Sequence, residues 1–202
     1  NMLSGSKYFC LRDEFLYIKR ATINEEVRRI LLTFGGVDEG NLSARCLAII
    51  AKYCKEKKIV IDVVTGPGYM YEDRLTSLMD VHADLSINLA KGTKRISDYM
   101  NKADVAITSG GRTVLELSSL HVPTIVICQN DREMTHDFAS LSNGVINLGN
   151  RLSVKDVDIL NALIGIVENR NMRMEMIIKS KKNNLSLGKS RVISEIVRIL
   201  DK

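Results

Sequence analysis

With 202 residues, 45% of them hydrophobic and a formal net charge of +5, the chain is long enough to fill one substantial core and modestly suited to anionic ligands. Aromatic residues make up only 5%, and no apolar run approaches the roughly 20 residues of a membrane-spanning helix, which argues against nucleic-acid binding by base stacking and against a membrane span. The opening NMLSGSKYFC has none of the charged, apolar and small-residue zones of a secretory signal, so the cytoplasm is the expected compartment.

Residues 1–22, with LRDEFLYIKR at their centre, read as a lead-in from a missing upstream domain, and residues 23–202 as one domain. Val27 to Phe34 is an apolar strand that stops at Gly35-Gly36, after which Asn41 is placed to cap a helix reaching about Cys54. Ile59 to Val64 forms a second strand closed by Thr65-Gly66-Pro67-Gly68, followed by a helix over 71–80 and a weaker strand at 85–89. A helical turn over 97–102 leads to the strand at Val105-Ala106-Ile107, and a further strand begins after Pro123. A helix over 133–141 and a short strand over 145–148 come next, with helices at 154–168, 172–182 and 189–201 closing the chain. Strands alternating with helices predict a Rossmann-like α/β fold, a parallel sheet with helices on both faces.

Cys10, Cys46, Cys54 and Cys128 form no CxxC pair, so neither disulfides nor a metal site are expected, and no cofactor signature appears. Phe34-Gly35-Gly36-Val37-Asp38-Glu39-Gly40 is not GxGxxG, and Asp62 falls inside the second strand and not at its end, which argues against a dinucleotide site. There is no Walker A loop. What stands out is the stretch from Asp104 to Asp131: strand, Gly110-Gly111, then a helix starting near Arg112 whose first free N–H groups face the Ser109–Thr113 turn. An anion fits there, and Glu116, one turn further, is placed to accept hydrogen bonds from two neighbouring hydroxyls, as acids do on a ribose. A generic structural turn is the alternative reading of the same residues. His136 is a candidate acid or base near this edge, whereas His82 and His121 are expected to face solvent.

Four motifs in order, LRDEF, ILLTFGGVDEGNL, VVTGPGY and ISDYMNKADVAITSGGRTVLELSSLHVPTIVI, resemble the carboxyl-terminal domain of the nucleotide-sugar hydrolases of pseudaminic acid synthesis and their spore-coat polysaccharide relatives, over about Leu11 to Gly149. That family resembles the peptidoglycan N-acetylglucosaminyltransferase, so the resemblance implies the C-terminal half of a GT-B fold, holding a UDP- or CMP-linked sugar. It implies that the turn at Gly110, Gly111, Arg112 and Thr113 holds a diphosphate and that Glu116 binds the ribose. The loop from Thr93 to Ile96 would read the pyrimidine, and Gly35 and Gly36 would approach phosphates or sugar from across the crevice. The family's general base is a histidine of the first lobe, so this chain alone is expected to bind its ligand and to turn it over poorly or not at all.

One loop departs from the family. Where the hydrolases carry an Asn-Gln pair, this chain has Gln129-Asn130-Asp131-Arg132-Glu133, with Arg132-Glu133 at the pair. Full charges in place of amides imply a different sugar or a different reaction at Asn130, Asp131, Arg132 and Glu133. Such loops also resemble domains of this family fused behind a CMP-sialic-acid-type cytidylyltransferase. A non-catalytic regulatory or docking module appended to such a synthetase is therefore the alternative function.

Overall fold

The computed structural model describes residues 3–18 and 24–201; the expected domain boundary at 22 and 23 lies outside the described residues. In chain order the elements are α1 (Asp13–Leu16), β1 (Arg29–Thr33), α2 (Leu42–Glu56), β2 (Val60–Thr65), α3 (Glu72–Val81) and β3 (Ile87–Lys91). They continue as α4 (Ile96–Lys102), β4 (Val105–Thr108), α5 (Arg112–Ser119), β5 (Thr124–Cys128) and α6 (Asp131–Met134), then β6 (Val145–Asn150), α7 (Asp156–Glu168), α8 (Arg170–Lys182) and α9 (Gly188–Leu200).

The six strands form one sheet in the order β3-β2-β1-β4-β5-β6, and every neighbouring pair is parallel. Strand order reverses between β1 and β4, which is where ligands of open α/β sheets bind, beyond the carboxyl ends of the strands. Strand period explains how two cores share one sheet. Ile30, Leu32, Val105, Ile107, Ile125 and Ile127 join α2, α3 and α7 on one face, while Leu31, Ala106, Val126 and Cys128 join α4 and α5 on the other. β5 lies between two strands and is fully buried, as its apolar TIVIC run requires.

Three local expectations are corrected. Asn41 does not cap α2 with its side chain: it sits in the left-handed region, and its Oδ1 accepts the Tyr69 hydroxyl at 2.6 Å. The cap is Asp38, whose buried carboxylate accepts the Leu42 and Ser43 N–H groups, each at 2.8 Å. The helix expected over 133–141 is only the single turn of α6, because Phe138 and Ala139 turn into the core beneath α5 and draw the chain off the helical path. His121, in the turn after α5, is half-buried and its Nδ1 lies 3.2 Å from Ser180 Oγ of α8.

The lead-in packs firmly. Leu11 and Phe15 are each 4% exposed and belong to the α4/α5 core, and Lys189 at the start of α9 pairs with Asp13 at 2.8 Å. Gly188 meets the backbone of Phe9 so closely that any side chain there would collide with the Phe9 carbonyl.

Candidate functional site

At the switch point the ends of β1, β2 and β3 and the flank of α5 enclose a crevice of about 180 Å³. Its walls include Gly35 and Gly36 after β1, Thr65, Gly66 and Pro67 after β2, Thr93 and Ile96 after β3, and Thr113 and Glu116 on α5. Ligand pockets usually span roughly 300–1,000 Å³, so this space takes only part of a nucleotide-sized molecule, the rest lying over the open edge. Two of the glycines are required by the backbone: Gly35 has a φ of 79°, and Gly66 has no room for a side chain. A side-chain carbon on Gly66 would lie 2.3 Å from the Gly36 carbonyl oxygen, the atom that accepts the Gly68 N–H at 3.0 Å. The turns after β1 and β2 therefore interlock, and together they form one wall.

Glu116 is 6% exposed and faces this crevice. Burial raises its pKa, and the neighbouring Arg12 guanidinium pulls it back down. Arg12 Nε lies 3.0 Å from Glu116 Oε1, and Arg12 Nη1 lies 2.8 Å from Glu14. Glu14 in turn accepts the Ser97 N–H in the first turn of α4 at 3.2 Å. A chain of contacts thus runs from α5 through the lead-in to α4. Thr65 adds a buried hydroxyl with no hydrogen-bond partner among the described residues, and Ser97, beside Ile96, another.

Gly35, Gly36, Thr93, Ile96, Thr113 and Glu116 thus share one crevice, whereas Gly110 and Gly111 do not line it. Gly110 faces the loop after β5, and its N–H is not free as the sequence implied: Glu133 Oε2 accepts it at 3.0 Å and accepts the Gln129 N–H at 2.8 Å. Asn130 Oδ1 accepts the Glu133 N–H at 3.0 Å, fixing the turn that delivers this carboxylate. Arg112 is exposed, its guanidinium 5.3 Å from the centre of the Phe9 ring, while Asp131 accepts from the Asn150 side chain at 2.9 Å. Arg132 is exposed. His136 Nδ1 lies 2.8 Å from the Gly110 carbonyl oxygen, which only accepts, so the hydrogen resides on Nδ1 and Nε2 is left outward.

Arg12, Thr65, Gly66 and Pro67 escaped the sequence reading as site residues. LRDEF and VVTGPGY, the motifs that contain them, were the available signal.

A larger groove of about 680 Å³ lies between α2, α3 and α7, walled by Arg45, Arg74, Ile49, Leu78 and Leu160. Arg45 is spent there on Asp156 and on the carbonyls of Arg151 and Val154. The strand-order reversal, the glycine turns and the buried acid converge on the smaller crevice instead.

A parallel six-stranded sheet with a crevice at its switch point is the architecture of a Rossmann-like nucleotide-binding lobe. The chain belongs to the glycosyltransferase family 28 C-terminal domain family, whose profile matches residues 30–192. It is 34% identical over 141 residues to the uncharacterized protein MJ1062 of Methanocaldococcus jannaschii, covering 66% of this chain but 29% of that protein's length. Among solved structures it is similar to MurG of Acinetobacter baumannii, with a TM-score of 0.65 and 17% identity over 92% of this chain and 52% of that one. It is also similar to the C-terminal CMP-Kdo binding domain of WaaA from Acinetobacter baumannii, with a TM-score of 0.58 and 14% identity over 79% of this chain and 90% of the other. The fold is that of the C-terminal half of GT-B glycosyltransferases.

Proposed function

We propose that this chain is the nucleotide-sugar-binding lobe of a hydrolase or glycosyltransferase-like protein of bacterial surface-polysaccharide synthesis, of the nonulosonic-acid type. The observation that carries the reading is Glu116: a buried carboxylate opening into the switch-point crevice, one turn inside α5, with Thr113 between it and the helix start. A carboxylate there accepts both hydroxyls of a pentose, the first N–H groups of α5 receive a phosphate, and the Thr93 to Ile96 segment borders the base. The family membership and the CMP-Kdo binding reported for the similar WaaA domain support a pyrimidine nucleotide as the ligand.

Catalysis needs a group to activate water or an acceptor. In this reading that group belongs to an upstream lobe, and this chain supplies binding and leaving-group stabilisation alone. Calorimetric titration with cytidine and uridine nucleotides and their sugars tests the reading. Measurable binding to the wild type that Glu116→Ala reduces about a hundredfold or more supports it, a loss in keeping with two charge-assisted hydrogen bonds. If no nucleotide binds, the reading fails and a docking module takes its place.

A further inference from the structure

The carboxylate of Glu133 stands against the Gly110-Gly111 turn that precedes α5. Along the carboxyl edge the order is Thr93 and Ile96, Glu116, Thr113 and the first turn of α5, then Gly111, Gly110 and Glu133. Glu133 Oε2 takes the N–H groups of Gly110 and Gln129, and a methyl group on Gly111 would lie 3.5 Å from Oε1. The position is built: Asn130 holds the Glu133 N–H, Arg151 Nε donates to the Gln129 carbonyl at 2.8 Å, and His136 braces the Gly110 carbonyl. No cation pairs with this carboxylate among the described residues.

Resting on the function proposed above, we infer that Glu133 is a specificity-determining residue that admits a nucleotide with one phosphate and rejects a second. A nucleotide with its pentose on Glu116 brings its first phosphate to the start of α5. The next group then meets a fixed negative charge that already occupies the Gly110 amide. A second phosphate would suffer like-charge repulsion or have to break two charge-assisted hydrogen bonds, which is discrimination by a repulsive element. A sugar hydroxyl, by contrast, donates to the lone pairs that Glu133 has left. The substrate class is therefore a sugar joined through a single phosphate to the nucleoside.

The test titrates the whole chain, wild type and Glu133→Gln, with CMP, UMP, CDP and UDP. The amide variant keeps an acceptor for the Gly110 N–H and removes the charge. The wild type is expected to bind its preferred monophosphate at least about tenfold more tightly than the matching diphosphate, and Glu133→Gln to narrow that ratio by about tenfold by strengthening the diphosphate alone. Should the variant fold poorly, wild-type amide resonances decide: those of Gly110 and Gln129 hold their positions when the monophosphate binds. A wild-type preference for diphosphate, an unchanged ratio in the variant, or displacement of those resonances by CMP or UMP overturns the inference and leaves the proposed function standing. Absence of binding by all four nucleotides overturns both.

Discussion

Glu116 carries opposing pressures that make its chemistry measurable. Desolvation favours the protonated acid and Arg12 favours the carboxylate, with burial the stronger, so the folded-state pKa lies above the ordinary carboxylate range. The ionised form accepts the two pentose hydroxyls more strongly than the protonated acid does. Affinity for uridine or cytidine, nucleosides without a phosphate of their own to titrate, should therefore be full above the raised pKa and decline as pH falls through it. Removing the guanidinium with Arg12→Ala moves that decline to higher pH, and Glu116→Gln abolishes it; titrations across the weakly acidic range read both. For the unliganded fold the sign is opposite. The folded state holds this proton more tightly than the unfolded chain, so the contribution of Glu116 to stability shrinks as pH rises from the unfolded to the folded pKa. The position of Glu116 one turn into a helix after a glycine turn was readable from local spacing. Its partner was not, because Arg12 lies 104 residues away and belongs to a segment with no periodic pattern.

Elements were legible where burial imposes a pattern. Runs such as VAI and TIVIC have to be interior strands because they are apolar on both faces, and their order with intervening helices already implied a parallel sheet. Caps and single-turn helices were harder, since several polar residues near a helix start compete for the same N–H groups. Asp38 wins over Asn41 at α2 because its carboxylate reaches two amides from a buried position, while Asn41 is engaged by Tyr69. Asp38→Ala should lower stability by about 1–2 kcal/mol, and Asp38→Asn, which keeps an acceptor, by less; urea unfolding followed by circular dichroism measures the pair. The 133–141 segment misled for a related reason. Its composition suits a helix, yet Glu133 is turned back onto Gly110 and Phe138 is claimed by the core, contacts that local propensity does not encode.

For the molecule as a whole, the lead-in behaves as part of the fold. Taking away residues 1–16 removes Leu11 and Phe15 from the α4/α5 core and unties Asp13 from α9. Loss of those two side chains alone should cost about 3–6 kcal/mol, a large share of the roughly 5–15 kcal/mol that holds a domain folded, and chemical denaturation of the truncated chain would register it. The same truncation deletes Arg12 and thereby loosens the acid in the crevice. The parallel sheet was readable from the alternation of strands and helices; its strand order, the reversal point and the closure of the crevice by the lead-in were visible only in three dimensions. Cys128 lies fully buried beneath the Gly110 turn, its sulfur so near that a β-carbon on Gly110 would come within 2.9 Å, whereas Cys10 is exposed. The chain thus carries its own clock and its own reference. An alkylating reagent should modify Cys10 at once and Cys128 only as fast as that turn breathes, so mass spectrometry over time reports how often the roof above β5 lifts, and how firmly a bound guest keeps it shut.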